Sequence, residues 1–174
     1  MKRYILSGTP GSGKTSIIQN LKLKGFETID EAATDVIAQQ QKMGIREPWK
    51  RHAFIDSVLN LQQERLENAQ SNLQFYDRSP ICTYALSLFL DFPISNHLLN
   101  VIKNNLQQKT YEMDVFFVEN LGFIKNTDAR KISFENALRF EKMHLDAYEK
   151  FGYNLIFIQA GRIDERTSFI LNSL

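Results

Sequence analysis

Gly8-Thr9-Pro10-Gly11-Ser12-Gly13-Lys14-Thr15 follows directly on Lys2-Arg3-Tyr4-Ile5-Leu6-Ser7. The second of these stretches reads as a buried strand, and the first has the G-x-x-x-x-G-K-[ST] spacing of a P-loop. A polyphosphate can be stripped of water only where several backbone N–H groups turn towards it, and a Cβ at Gly8, Gly11 or Gly13 would stand in their way. The amides that open the following helix add donors and the positive end of a dipole. Lys14 brings a full positive charge to the β- and γ-phosphates, and the Thr15 hydroxyl is an oxygen ligand suited to Mg²⁺. Pro10, Ser12 and Ser16 complete the stretch expected to wrap a nucleotide.

Outward from that loop, short apolar runs alternate with longer amphipathic ones, the pattern of a parallel sheet covered by helices. Strands are expected near Lys2–Ser7, Gly25–Ile29, Leu73–Asp77, Asp114–Glu119 and Asn154–Gln159. Helices are expected over Lys14–Lys24, Glu31–Met43, about Pro48 to Gln70, Ile81–Phe92, Ser95–Gln107, Ser133–Phe151 and Ile163–Leu174. The fold class that follows is α/β, a three-layer arrangement with a five-stranded, mostly parallel sheet between helices. A chain of 174 residues, 43% of them hydrophobic, suits one domain over 1–174. A net charge of +1 gives no drive towards nucleic acid or an anionic membrane. Cys82 has no cysteine to pair with, which agrees with a reducing cytoplasm and a packing role. The N-terminus lacks the apolar core of a signal peptide, and the longest apolar run, Ala85 to Phe92, is short and interrupted by Asp91. The sequence leaves the oligomeric state open.

Ligands of open α/β sheets bind beyond the carboxyl ends of the strands, and three of those ends carry unusual polar residues. Asp77 closes the run Leu73-Gln74-Phe75-Tyr76, as a Walker-B acid does when it serves a metal ion beside a P-loop; a turn or cap Asp before Pro80 is the plain alternative. Arg78 offers a planar fork for a phosphate, against the rival of a surface ion pair. Glu31, in Asp30-Glu31, is placed to take a proton from an attacking hydroxyl, or merely to favour a helix N-terminus. Arg130 and Lys131 fall in the polar stretch Glu119 to Ser133, where a basic lid would stabilise a transferring phosphoryl group and expel water. His52, His97 and His144 have no ligand-like spacing, so no zinc site is expected. Trp49 and Phe54 are candidates for an acceptor pocket, with core packing favoured for Phe54; Gln62 and Gln63 are read as pocket or surface alike.

The order P-loop, Asp30-Glu31-Ala32-Ala33, Phe75-Tyr76-Asp77-Arg78-Ser79, a basic lid, and then Phe140-Glu-Lys-Met-His-Leu-Asp-Ala-Tyr-Glu-Lys-Phe-Gly-Tyr-Asn-Leu155 resembles the small AAA-labelled P-loop ATPases grouped with the nicotinamide-riboside kinase domain. The resemblance runs from Arg3 to Leu171. Deoxynucleoside kinases are similar at a greater distance, through an acid after the second strand, an Asp-Arg-Ser type triplet and an arginine lid. It implies a P-loop kinase fold, ATP or GTP with Mg²⁺, Glu31 and Asp77 near metal and acceptor, and Arg78 and Arg130 near phosphate. The activity implied is transfer of the γ-phosphoryl group of ATP to a small, nucleoside-like hydroxyl acceptor, by Lys14, Glu31, Asp77, Arg78 and Arg130. The alternative is a nucleotide-binding regulator or slow NTPase read by a partner protein. A Ras-like switch is disfavoured, because Asp77 leads to Pro80 rather than to a glycine and Lys125-Asn-Thr-Asp128 is out of order.

Overall fold

The computed structural model describes residues 1–120 and 133–174. Five strands, β1 (Lys2–Gly8), β2 (Glu27–Ile29), β3 (Leu73–Asp77), β4 (Asp114–Val118) and β5 (Asn154–Ile158), form one sheet in the order β2-β3-β1-β4-β5. Every pairing is parallel, with Leu6 opposite Asp77 and Gly8 opposite Val118. The central strands read as unbroken apolar runs because both sheet faces are covered.

Alternation along each strand divides the core in two. Tyr4, Leu6, Phe75, Phe116 and Val118 pack with Ile17, Ile18 and Leu21 of α1 (Lys14–Leu23) and Ile170 of α7 (Ile163–Asn172). Ile5, Tyr76 and Val115 face the other way, onto α2 (Ala32–Lys42), α3 (Ala53–Asn68), α4 (Pro80–Phe89), α5 (Asn96–Gln107) and α6 (Phe134–Lys150). Each fully buried aliphatic side chain of this kind contributes roughly 1.5–3 kcal/mol. Helix ends follow local chemistry: Ser95 Oγ accepts from the Leu98 amide at the start of α5, and Ser133 Oγ from the Asn136 amide at the start of α6.

Several boundaries differ from the sequence reading; α4, for one, ends at Phe89 rather than Phe92. The stretch expected as one helix from Pro48 to Gln70 is a 3₁₀ turn at Pro48–Lys50, a break, and then α3. Arg51 is extended (φ −106°, ψ 132°), so the Pro48 carbonyl takes its amide and helical bonding restarts later. The second strand begins at Glu27 rather than Gly25, because Gly25 (φ 90°) and Phe26 return their amides to Lys22 and Leu21 and close α1. Phe54 is buried in the core, and the half-buried Trp49 packs against it. Cys82 is buried between Ser7 and Tyr148, 3.4 and 3.1 Å away. Among the described residues no helix is long and apolar enough to cross a membrane.

Candidate phosphate and phosphoryl-acceptor site

The loop between β1 and α1 lies beyond the central strand, flanked by β3 and β4. Gly8 has φ 130°, and a Cβ there would sit 2.2 Å from the Val118 carbonyl oxygen. Only glycine lets the chain leave the sheet at that point without driving β1 from β4. Gly13 is the N-cap of α1 in a left-handed conformation (φ 89°), and no side chain caps the helix. Its first amides, together with those of the loop, are the donors an anion would meet. Pro10, Ser12 and Lys14 are buried, Gly11, Gly13 and Ser16 half-buried, and Thr15 exposed. Lys14 Nζ donates to the carbonyls of Gly8 and Thr9 at 3.0 and 2.7 Å and to Ser12 Oγ at 3.3 Å. The ammonium is thereby held over the loop by neutral acceptors.

Asp77 ends β3 beside Leu6, with its carboxylate buried and Oδ1 without a hydrogen-bond partner among the described residues. Burial pushes its carboxyl up from 3.8 to about 6; Glu31 pushes the same way, while Lys14 and Arg78 pull it back. A buried oxygen lacking a donor is what a cation ligand looks like when only protein atoms surround it. With the exposed Thr15 hydroxyl it makes an all-oxygen pair whose chemistry fits Mg²⁺.

Arg78 follows with φ 77°, a backbone state that a non-glycine residue adopts only when its surroundings insist on it. Three contacts do so. Its amide donates to the Leu6 carbonyl at 3.0 Å, Nε donates to Glu31 Oε1 at 2.6 Å, and Nη1 donates to His144 Nε2 at 2.9 Å. Burial is the largest single influence and opposes the charge on Arg78, but the charge and hydrogen bond of Glu31 together with Cys82 and Asp77 outweigh it and hold the guanidinium protonated, its pKa raised further above its ordinary value. Glu31, at the N-cap of α2, also accepts from Thr34 Oγ1 at 2.8 Å. The acids and the arginine expected from sequence are thus brought together beside the loop: Asp77 and Arg78 in succession, Glu31 joined to Arg78. Arg130 and Lys131 lie outside the described residues, so the expected lid does too.

Residues 3–166 match the family model described as the AAA domain. The chain belongs to that family. No curated protein sequence matches this AAA-domain chain. Its fold is that of P-loop kinases. It resembles thymidylate kinase from Ehrlichia chaffeensis at a TM-score of 0.62 and 14% identity, over 99% of this chain and 97% of that one. Deoxyadenosine kinase from M. mycoides, solved with the products dCMP and dCDP, is similar at a TM-score of 0.56 and 16% identity, covering 98% and 97% of the two chains. Shikimate kinase from Aquifex aeolicus is similar at 0.57 and 15%, over 98% and 95%. At such identities the likeness shows the fold.

Three residues around the AAA-domain loop, Glu141, Asn120 and Arg166, went unnoticed in the sequence. Thr9 Oγ1 donates to Glu141 Oε2 on α6, and Asn120, just after β4, donates to the same carboxylate at 3.2 Å. Arg166 of α7 is buried and donates to the Ser12 carbonyl at 3.0 Å. None of these carries a motif signal, since each acts across more than twenty residues or through a surface helix face. His144 had one: it sits four residues after Phe140 and four before Tyr148 on an otherwise apolar stripe, and it is fully buried. Gln62 Oε1 accepts from Thr83 Oγ1 at 2.8 Å, whereas Gln63 Nε2 is buried without a partner among the described residues.

Proposed function

We propose that the chain is an ATP-dependent phosphotransferase that moves the γ-phosphoryl group to the hydroxyl of a small, nucleoside-like acceptor, with GTP as a second possible donor. The observation that carries this reading is the Glu31–Arg78 ion pair at 2.6 Å beside the buried carboxylate of Asp77. Binding a nucleotide needs the loop; a carboxylate and a guanidinium joined beside it suit a second substrate. That the three structures of similar fold are named for phosphorylating small hydroxylated or phosphorylated molecules supports it.

In the reaction the acceptor oxygen bonds to the γ-phosphorus, the bond from that phosphorus to the β–γ bridging oxygen breaks, and ADP leaves. Glu31 takes the proton from the acceptor hydroxyl. Lys14 exchanges the carbonyls of Gly8 and Thr9 for phosphate oxygens, and the loop amides neutralise the β-phosphate. Arg78 spreads its charge over the equatorial oxygens of the transferring group. Thr15 and Asp77 would hold Mg²⁺, which supplies charge neutralisation across the β- and γ-phosphates.

Thermal-shift titration with Mg·ATP and Mg·GTP, then with nucleosides and ribosides in the presence of the better nucleotide, tests the proposal. ADP release that rises strongly with one acceptor supports a kinase. Tight nucleotide binding with little turnover whatever the acceptor refutes transfer and leaves a nucleotide-reading regulator. Lys14→Ala should weaken nucleotide affinity or turnover by orders of magnitude while the circular dichroism stays that of the parent; undiminished binding and rate remove the phosphate role of the loop.

A further inference from the structure

His144 is fully buried on α6, and its two ring nitrogens have different partners. Nδ1 lies 2.8 Å from the Phe140 carbonyl, which can only accept, so Nδ1 carries the proton. Nε2 lies 2.9 Å from Arg78 Nη1, which can only donate, so Nε2 presents a lone pair. The ring also lies 4.3 Å from that of Phe140, centroid to centroid, and Phe140 in turn stands 5.9 Å from the Arg78 guanidinium carbon. Ring position, tautomer and guanidinium plane are therefore fixed together.

We propose that His144 is a positioning residue for phosphoryl transfer: as a neutral acceptor it fixes the plane of the Arg78 guanidinium without cancelling its charge. This rests on the phosphotransferase reading for the purpose of Arg78, but not for the geometry. Arg78 has two side-chain acceptors of different kinds. Glu31 at Nε is anionic and half-exposed; His144 at Nη1 is uncharged and buried. A second carboxylate in the place of the imidazole would hold the fork as firmly but would leave the arginine with little net charge to offer a phosphate. With Nε and Nη1 taken, the Nη2 N–H pair makes no hydrogen bond to the described residues and is the part of the fork that remains for a ligand. The same contact ties α6 to the β3–α4 turn, so the helix that follows the basic stretch determines where the phosphate-gripping group points.

The tautomer is read by ¹⁵N NMR of protein labelled at histidine, in neutral buffer without nucleotide. The expected spectrum shows the His144 ring neutral, protonated at Nδ1 and bare at Nε2; an imidazolium or the opposite tautomer overturns the proposal, whatever the enzyme turns out to phosphorylate. Function is read with His144→Gln, whose Oε1 reproduces the acceptor, and His144→Leu, which removes it. For the nucleotide and acceptor pair that supports turnover, His144→Leu should lower kcat by about tenfold to a hundredfold, the effect of losing one hydrogen bond to a charged group. KM for ATP should change little, and His144→Gln should recover most of kcat. Equal loss in both variants, or a loss confined to KM, overturns the positioning role. Should His144→Leu fail to fold, the Arg78 Nε–H resonance in His144→Gln decides: it should stay sharp and slowly exchanging as in the parent, and a broadened signal counts against the proposal.

Discussion

Replacing Asp77 with Asn should strengthen the ligand-free protein while weakening its response to metal-bound nucleotide. The Asp77 carboxylate is buried with Oδ1 unpartnered among the described residues, and burial raises its pKa from 3.8 to about 6 despite the pull of Lys14 and Arg78. The folded state thus binds this proton more tightly than the unfolded chain. The stability it lends is complete below the unfolded value of 3.8 and is lost as pH rises through about 6. Above both values the ionised group weakens folding by about 3 kcal/mol, at 1.36 kcal/mol per unit. Asn keeps the shape and abolishes the charge, although its amide brings a polar N–H that needs a partner of its own. Urea unfolding without metal or nucleotide should therefore show Asp77→Asn more stable than the parent at about pH 8, by roughly 1–3 kcal/mol. At roughly 2–4 °C per kcal/mol for a chain of this size, the midpoint temperature rises by several degrees. On going down to about pH 4, where the folded form of each carries an uncharged group, that advantage should shrink by roughly 2 kcal/mol, to little or nothing or to a slight deficit. Adding Mg·ATP should reverse the ranking, since only the parent has the anionic oxygen for the cation. A gap that stays constant with pH, or an Asn variant that is weaker at every pH, would refute the account of a desolvated, unpaired carboxylate.

Gly8→Ala places a methyl group 2.2 Å from the Val118 carbonyl oxygen at φ 130°, so β1 and β4 must part locally; a loss of about 3 kcal/mol or more in urea midpoint stability is expected, together with loss of nucleotide binding. Ser95→Ala removes the acceptor of the Leu98 amide at the start of α5. It should lower stability by about 1 kcal/mol with no change in nucleotide affinity, and a larger effect on binding than on folding would contradict its purely structural place.

The parallel sheet was legible because β1, β3 and β4 lie under helices on both faces and so appear as apolar runs of strand length. The P-loop was legible because its spacing is imposed by phosphate chemistry on eight consecutive residues, Gly8 to Thr15. Asp77, Arg78 and Glu31 could be singled out for a related reason: each closes a strand or stands within two residues of a strand's end, and the topology collects those ends. Where the reading went astray, local bonding decided. Pro48 does begin a helical turn, but the extended Arg51 ends it, and no periodicity in the apolar residues records that break. Glu141 and Arg166 were out of reach for a different reason. Their partners are 132 and 154 residues away, and only the packing of α6 and α7 against the strand ends brings them there. A search for metal-ligand spacing was the wrong question to put to His144, whose partner is an arginine.

The lateral order of the strand ends bears on the choice between a phosphotransferase and a nucleotide-reading switch. From the loop outwards, the sheet runs β1, β3, β2, so Gly8, then Asp77, then the chain leading to Glu31 succeed one another. Adjacent strands stand about 4.8 Å apart, which sets the ends of β1 and β2 roughly 10 Å apart. A switch needs charge where the terminal phosphate and its metal ion lie, and Lys14 and Asp77 meet that need within one strand spacing. It has no evident use for an acid one strand further out, held by an arginine that must itself be fixed in a left-handed backbone and against a buried imidazole. Strain and desolvation of that kind persist in folded proteins where a function depends on them. An acceptor hydroxyl between the γ-phosphate and Glu31 would give that investment of structure a purpose. Glu31→Gln therefore separates the two readings: under transfer chemistry it should abolish acceptor-dependent ADP release while Mg·ATP binding persists, whereas a switch would retain both its affinity and its slow basal hydrolysis.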